Sequence, residues 1–350
     1  MAPADKPELL SSGAGLGAAV AVESGTELGE IEAVEARGYW EQVGRRFRKD
    51  KAAIISGLFI VFLFLAAYPG ASLASALLGH GPGAIYGTNG LDPNTLLPVG
   101  PFSHVANLDG SGTSLFVLGS DSQLGRDEFL RLLYGARVSL EVAIGATIVG
   151  MVVGVLMGAI AGYFGGWIDT IVSRITEIVM AFPVLLFIIA LASTVGDRLN
   201  NVTFGFLQPG VFTLTVVIGV FGWYYPARII RAVVLSLREK EFVEAARMLG
   251  ASDARIIRSH LLPHLVAPII VYSTLIVAQN VLLEAGLSFL GIGIPLEVPS
   301  WGNLLSTAPD YYLAQPWLMI WPGLALLLTT LSFNLLGDGL RDAFDPRAAH

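Results

Sequence analysis

Long uninterrupted apolar runs are the feature that most constrains the fold of this chain. A helix that crosses a bilayer needs about 20 predominantly apolar residues. Six runs come close to this length or exceed it: 52–78, 138–161, 175–192, 211–227, 265–290 and 316–336. The sequence therefore predicts an all-α polytopic membrane protein with six transmembrane helices.

Composition excludes several classes of protein. Charged residues make up 14% of the chain, well below the roughly 25% of soluble globular domains, so an ordinary soluble enzyme is excluded. The chain has no cysteine. It therefore has no disulfide framework, no thiol nucleophile and no cysteine-based metal site.

The acidic residues are concentrated before the first apolar run. Residues 1–36 contain seven carboxylates and one lysine. We predict a disordered acidic cytoplasmic tail over 1–38, a basic pre-membrane segment over 39–51 and a membrane domain over 52–350. The tail is either a solvated, dispensable arm or a regulatory contact.

The basic residues predict the orientation of the chain. If the N-terminus is cytoplasmic, 17 of the 21 Lys and Arg residues lie on the cytoplasmic side, as the positive-inside rule requires. The exceptions are Arg126, Arg131, Arg137 and Arg198. Six crossings then return the C-terminus to the cytoplasm, with an extracytoplasmic loop over 79–137 and a charged cytoplasmic loop over 228–264.

Neither an ATP-binding site nor a metal site is predicted in this chain. A Walker A loop needs a lysine directly after a glycine, and none of the four lysines follows one. His260 and His264 are four residues apart, but Pro263 is expected to break the helix between them and the glutamate of a zinc motif is absent.

The charged loop 228–264 predicts two short helices joined at Gly250. Phe242, Val243, Ala246 and Leu249 are spaced to share one face of the first helix. A second amphipathic stretch follows from Ser252. From the residues alone, the loop is either a helical hairpin that lies on lipid headgroups or a docking element for a cytoplasmic partner.

Several motifs in this chain resemble one family. Glu244-Ala245-Ala246, then Gly250, then the 260–263 stretch HLLP resemble the EAA loop of binding-protein-dependent ABC importer permeases, with His260 where the general pattern has an apolar residue. Further similar stretches occur in the expected order: 118–144, 180–186, 284–295, 299–305 and 333–347. Over roughly 40–347 the chain resembles the C-type permease subunit of a dipeptide or oligopeptide importer.

The resemblance implies a type I importer fold, a prokaryotic plasma-membrane location and a set of partners. These are a second homologous permease subunit, two cytoplasmic P-loop ATPases that bind ATP and Mg²⁺, an extracytoplasmic solute-binding protein, a peptide-like substrate and membrane lipid. It implies no nucleic-acid partner, no cofactor in this chain and no catalytic residue. ATPase coupling is implied for Glu244, Ala245, Ala246, Leu249, Gly250 and Pro263.

Two other functions are weighed against this one. An ion-coupled secondary transporter would be expected to have an inverted repeat and half-helices at the bilayer midplane, and no clear repeat is present. An intramembrane enzyme would need paired catalytic acids, a Ser-His pair or a metal ligand set, and the sequence suggests none.

Polar residues within the apolar runs are candidate pathway or packing positions. Glu284 has no basic residue within a helical turn. It is expected either to line the pathway or its outer gate, or to hydrogen-bond a neighbouring helix. Gln279 and Asn280, one turn before it, are expected to share its inward-facing side. Glu141 and Glu177 are expected to pair with Arg137 and Arg174.

Four glycines recur every fourth residue in the second apolar run and predict close helix packing. They are Gly150, Gly154, Gly158 and Gly162. The loop 79–137 is rich in Pro and Gly, and no long helix is expected before about Ser122. It either contacts the solute-binding protein or only caps the helices.

Overall fold

The computed structural model describes residues 39–108, 110, 112–200 and 207–345, without the side chains of Tyr39 and 195–200. The predicted acidic tail, 1–38, lies outside the described residues. Residues 39–42 begin the first helix and belong to a separate unit of the chain.

The described chain is almost entirely helical. The helices are α1 (Tyr39–Phe47), α2 (Lys51–Leu65), α3 (Ala71–Leu78), α4 (Glu128–Phe164), α5 (Gly166–Ala181), α6 (Val184–Asn200), α7 (Val211–Gly222), α8 (Tyr224–Leu237), α9 (Glu241–Met248), α10 (Asp253–Arg255), α11 (Leu262–Phe289), α12 (Trp301–Thr307) and α13 (Trp317–Phe344). Two π-helical turns, Ala66–Gly70 and Ile256–Leu261, join α2 to α3 and α10 to α11. Short 3₁₀ helices cover Gly87–Gly90 and Ala308–Asp310.

Among the described residues, five continuous helical stretches are long and apolar enough to cross a membrane. They are Lys51–Leu78, Glu128–Phe164, Val211–Leu237, Asp253–Phe289 and Trp317–Phe344. Asp50 starts the first by accepting hydrogen bonds from the backbone N–H groups of Ala52 (2.9 Å) and Ala53 (3.1 Å). Each of these stretches covers one of the predicted apolar runs to within one residue.

The remaining predicted crossing, 175–192, is not a straight helix. Helix α5 ends at Ala181, α6 begins at Val184, and the two are bent by 87°. Pro183 explains the break, because proline disfavours a helical conformation in the residue before it. That residue, Phe182, is extended, with φ −87° and ψ 143°. A sixth crossing exists only if this bent pair counts as one.

Both predicted loops are shorter than expected. The helix after the first loop begins at Glu128, where Asp127 accepts a hydrogen bond from the N–H of Leu130 at 3.0 Å. In the second loop, α8 continues to Leu237 and α11 already begins at Leu262. The predicted loop 79–137 therefore contracts at its C-terminal side, and the predicted loop 228–264 contracts from both sides. Pro226 does not end the fourth crossing, because it lies in the first turn of α8, where a missing N–H costs little.

The first loop contains an antiparallel hairpin that the sequence did not predict. Strand β1 (Ser103–Ala106) pairs with β2 (Thr113–Phe116), with Ser103 opposite Phe116. The packed side contains Tyr86, Val105 and Phe116. Four-residue strands in a Gly-rich loop have too little periodicity to be recognised.

Buried charges tie this loop to the membrane helices. Asp121 pairs with Arg126 at 2.7 Å and with Arg131 of α4 at 2.9 Å. His80, just after α3, contacts Asp127 at 2.9 Å. Burial lowers the pKa of His80, but its hydrogen bonds to Asp127 and to the Leu78 carbonyl outweigh this and leave the pKa above its ordinary value.

Helix α4 is the central packing element, and its small residues let α7 and α8 approach closely. The four glycines predicted for packing face these two helices. A Cβ atom on Gly154 would lie 2.6 Å from Cγ of Pro226, and one on Gly158 would lie 2.5 Å from the carbonyl oxygen of Ala227. No side chain fits at these separations, so glycine is required there.

Candidate coupling site

The segment between α8 and α11 folds into a compact knob, defined here as residues 238–261. Helix α9 ends with the N–H of Ala251 bonded to the carbonyl of Ala246 (3.0 Å) and the N–H of Gly250 bonded to that of Arg247 (2.9 Å). This is a Schellman motif, which needs a left-handed residue after the helix. Gly250 supplies it with φ +80°, so the predicted helix stop has a direct structural reason.

One face of α9 is buried against the membrane helices. Val243 is fully buried and Ala246 nearly so. They belong to a cluster with Ile256 and Leu261 of the π-helical turn and with residues of α4 and α8: Ala159, Tyr163, Ile230 and Val234. The knob is therefore packed directly against α4 and α8.

A polar contact adds to this packing. The Tyr163 hydroxyl, at the end of α4, donates a 2.6 Å hydrogen bond to Asp253. The Arg247 guanidinium lies over the Tyr163 ring, 5.2 Å from its centre. The end of α4 is therefore linked to both halves of the knob.

The opposite face of the knob is open. Glu244 and Ala245 are exposed, and Met248 and Leu249 are 79% and 89% exposed. The prediction that Leu249 shares one face of the helix with Val243 is wrong, because the helix ends at Met248 and residues six apart point about 120° away from each other. Adjacent exposed apolar side chains of this kind are typical of docking surfaces.

Pro263 does not break the helix as predicted. It occupies the first turn of α11, and the π-helical turn Ile256–Leu261 leads directly into it. His264 Nδ1 lies 2.8 Å from the His260 carbonyl, and its ring stacks on that of Phe242 at 5.0 Å. Within the described part of the chain, no group of three metal-binding side chains is present.

Glu284 lies deep inside the bundle and is fully buried. Its Oε1 accepts a 2.7 Å hydrogen bond from the Ser288 hydroxyl. The buried hydroxyls of Ser139 in α4 and Ser300 before α12 also lie close to this carboxyl group, although Oε2 accepts no hydrogen bond from a described residue. This position favours the hydrogen-bonding alternative; the pathway role stays a prediction.

The other two residues of the predicted polar face, Gln279 and Asn280, have different environments. Asn280 is buried and donates to the Thr147 hydroxyl at 3.0 Å, which joins α11 to α4. Gln279 is exposed on the outside of the helix. The prediction that Gln279 faces inward with Glu284 is wrong, since successive helical residues point about 100° apart.

Replacing Glu284 with glutamine is expected to leave both thermal stability and transport per assembled complex nearly unchanged. The amide keeps an acceptor for Ser288 and offers donors to the nearby serine oxygens. Replacing Glu284 with alanine should lower the free energy of unfolding by about 1–3 kcal/mol, because Ser288 then loses its partner. Melting temperature and uptake per complex are measured together. A stable Glu284→Gln protein without transport would instead establish the pathway role.

The stretch 299–305 holds the turn that precedes α12 in place. The Asn303 amide lies within hydrogen-bonding distance of the carbonyls of Ile294 (3.3 Å), Pro295 (2.9 Å) and Val298 (3.0 Å). The Trp301 indole donates to the Leu132 carbonyl at 3.1 Å. This motif therefore has a scaffold role in the described structure.

The whole arrangement agrees with one protein family. Residues 154–350, more than half of the chain, match the family described as binding-protein-dependent transport system inner membrane component. The chain belongs to this family. Residues 38–82 also match the N-terminal transmembrane domain of oligopeptide transport permease C.

Relatives of this permease cover most of its length. It is 36% identical over 309 residues to the dipeptide transport system permease protein of Alkalihalophilus pseudofirmus. This alignment covers 88% of this chain and 90% of the relative. It is 42% identical over 227 residues to a putative peptide permease protein of Brucella ovis, covering 64% of this chain and 71% of the relative.

Solved structures are more distantly similar. An inward-facing form of the MetNI methionine ABC transporter is 18% identical, with a TM-score of 0.49, over 61% of this chain and 96% of that chain. An amino acid ABC transporter crystallised with histidines is 17% identical, with a TM-score of 0.45, over 60% and 92%. As a member of its family, the permease is a membrane subunit of an ABC importer.

Sequence reasoning missed two features of the permease at this end. The link from Tyr163 to Asp253 joins residues 90 positions apart in the chain, and no sequence pattern reports such a pairing. Asp169 of α5 pairs with Arg231 of α8, with Oδ2 2.6 Å from Nη2. The sequence signal for this second pair was the presence of one charged residue in each of two largely apolar helices, Asp169 in α5 and Arg231 in α8.

Proposed function

We propose that this permease forms half of the translocation pathway for peptides or similar small solutes. The substrate class rests on the names of its relatives, above all the dipeptide permease that matches 88% of the chain. Selection among peptides is assigned to the solute-binding protein and not to this chain. The chain itself is proposed to have no catalytic activity.

The knob is proposed as the element that couples the permease to ATP hydrolysis. This proposal rests on one observation: one side of the knob is buried against the membrane helices and the other side is exposed. Val243 and Ala246 are buried against the ends of the membrane helices, while Met248 and Leu249 next to them are exposed. A partner that binds the exposed side moves the helix ends with it. Glu244, Ala245 and Gly250 belong to the proposed surface, and Pro263 lies in the first turn of the helix behind it.

The proposed partners are a second, homologous permease subunit, two cytoplasmic P-loop ATPases and an extracytoplasmic solute-binding protein. ATP and Mg²⁺ would be bound by the ATPases, with no cofactor in this chain and no role for nucleic acid. The second permease fits the broad apolar surface of the bent pair α5–α6, where many large side chains are exposed, including Ile171, Ile175, Ile178, Phe182 and Leu186. Lipid covers the remaining apolar surface.

The location proposed is the prokaryotic plasma membrane, with both termini in the cytoplasm. The Arg46 guanidinium, before the first crossing, donates to the backbone carbonyl of Asp345, after the last one. This contact supports placing the two ends of the described chain on the same side of the membrane. The concentration of basic residues before α2 and in the knob supports assigning this side to the cytoplasm.

Purification of this chain in mild detergent is expected to bring down a second permease and two P-loop ATPases in stoichiometric amounts. In proteoliposomes, peptide uptake should require ATP inside and the solute-binding protein outside. Omission of the binding protein is the matched control. A chain that purifies alone, with ATP-independent uptake abolished by an ionophore, would replace the proposal with the ion-coupled secondary transporter.

A further inference from the structure

A polar cavity of about 710 Å³ lies between α5 and α8. Its wall contains hydroxyl groups and five charged side chains: Asp169, Arg174, Glu177, Arg228 and Arg231. Its volume falls in the range of roughly 300–1,000 Å³ that is typical of small-molecule sites.

The charges in this cavity do not balance. Arg231 pairs with Asp169, with Nη2 2.6 Å from Oδ2, and Arg174 pairs with Glu177 at 2.8 Å. Arg228 has no carboxylate partner among the described residues. Once the two pairs are formed, the part of the cavity wall that the structure describes has one guanidinium without a carboxylate partner, that of Arg228.

The position of Arg228 makes this charge informative. It lies within the crossing Val211–Leu237, nine residues before the end of α8, which is about 13.5 Å along the helix axis. An ionisable side chain at such a position faces a water-filled cavity or another polar partner instead of acyl chains, and such residues mark substrate pathways. Its neighbours in sequence, Ala227 and Pro226, are buried against α4.

We propose that Arg228 binds the carboxylate of the transported solute in this cavity, at the cytoplasmic part of the pathway. A guanidinium offers a planar fork that matches a carboxylate with two hydrogen bonds. The Thr170 and Ser173 hydroxyls on the opposite wall supply further hydrogen-bonding groups. This inference rests on the proposed function and names one group of the substrate that the permease itself recognises.

Protection of a single cysteine tests this directly, since the chain has no cysteine of its own. Thr170→Cys places a thiol in the cavity wall of the complete permease–ATPase complex in phosphatidylcholine nanodiscs, without binding protein. Alanyl-alanine at about ten times its Kd should slow labelling by a polar thiol reagent about tenfold, because only the free fraction reacts. Alanyl-alanine amide, which lacks the carboxylate, should give little protection.

In the same Thr170→Cys background, Arg228→Gln should raise the alanyl-alanine concentration needed for half-maximal protection about tenfold or more. Replacing Arg174 and Glu177 together with glutamines removes a neutral pair from the same cavity and should leave the protection intact. Equal protection by peptide and amide, or protection that survives Arg228→Gln, overturns the inference. The inference is also overturned if, without peptide, labelling is slower in phosphatidylglycerol nanodiscs than in phosphatidylcholine nanodiscs and Arg228→Gln removes this difference. A lipid phosphate then occupies the site.

Binding-protein-dependent uptake of alanyl-alanine by the same wild-type complex separates this inference from the proposed function. Uptake without protection overturns the role of Arg228 alone. Absence of uptake for every peptide tested contradicts the proposed function and the inference with it.

Discussion

A permease in which Leu249 is replaced with aspartate is expected to fold normally and to bind its ATPase subunits about thirtyfold more weakly. Leu249 is 89% exposed and directly follows α9, so the substitution removes no packing inside the chain. Loss of a hot-spot side chain at the centre of an interface costs about 2 kcal/mol or more, which corresponds to roughly a thirtyfold change in affinity, and we expect Leu249 to be such a residue. Aspartate adds the cost of burying an unpaired charge.

Affinity is measured by titrating purified ATPase subunits onto the permease pair, with ATP-driven uptake recorded in parallel. Leu313→Asp is the matched control, because Leu313 is 85% exposed but lies between α12 and α13, at the predicted extracytoplasmic end. It should retain full affinity. Normal ATPase binding and uptake in Leu249→Asp would remove the knob from the coupling mechanism.

Replacing Gly158 with valine is expected to prevent assembly of the protein. Even a single Cβ atom at this position would lie 2.5 Å from the Ala227 carbonyl oxygen and 3.0 Å from the Arg231 nitrogen. Both are backbone atoms of α8, so the clash is relieved only by moving a whole helix. Overpacking of a core by one methyl group costs about 1–3 kcal/mol, and valine adds two more carbons.

Gly323→Ala provides the control, since it adds a Cβ to a helical glycine of α13 that meets no atom within 4 Å. Alanine is favoured over glycine in a helix by about 1 kcal/mol, so stability should hold or rise slightly. The amount of folded protein in the membrane and the melting temperature of the purified complex are compared. Normal yield of Gly158→Val would show that α4 and α8 are not locked together at this point.

The features that the sequence predicted are those that depend on local periodicity. The apolar runs, the four-residue glycine spacing and the helix stop at Gly250 are each encoded within a few neighbouring residues. The bend at Pro183 could have been predicted from the same rule, because a proline in the middle of an apolar run disfavours helix at the residue before it. The small hairpin could not, since its strands are four residues long.

The outcome at the candidate sites was mixed, for reasons of tertiary packing. Leu249 fits the apolar spacing of α9 but lies one residue beyond the helix end. Gln279 and Asn280 are neighbours in sequence but face opposite environments. Arg228 was assigned to a cytoplasmic loop because the fourth predicted apolar run ends at residue 227, whereas the helix continues for nine residues beyond Arg228. Leu249 and Arg228 were misplaced because the apolar pattern does not define where a helix ends, and Gln279 because adjacent helical residues point about 100° apart.

The direction in which the knob points depends on the number of residues in the π-helical turn Ile256–Leu261. Ile256 and Leu261 are both fully buried in one cluster although they are five residues apart. In a regular α-helix such residues would point about 140° away from each other. The wider turn absorbs one surplus residue between knob and crossing. A single-residue deletion there would restore an ordinary helix and swing Met248 and Leu249 by about 100° around its axis, leaving the membrane segment untouched while aiming the docking surface elsewhere.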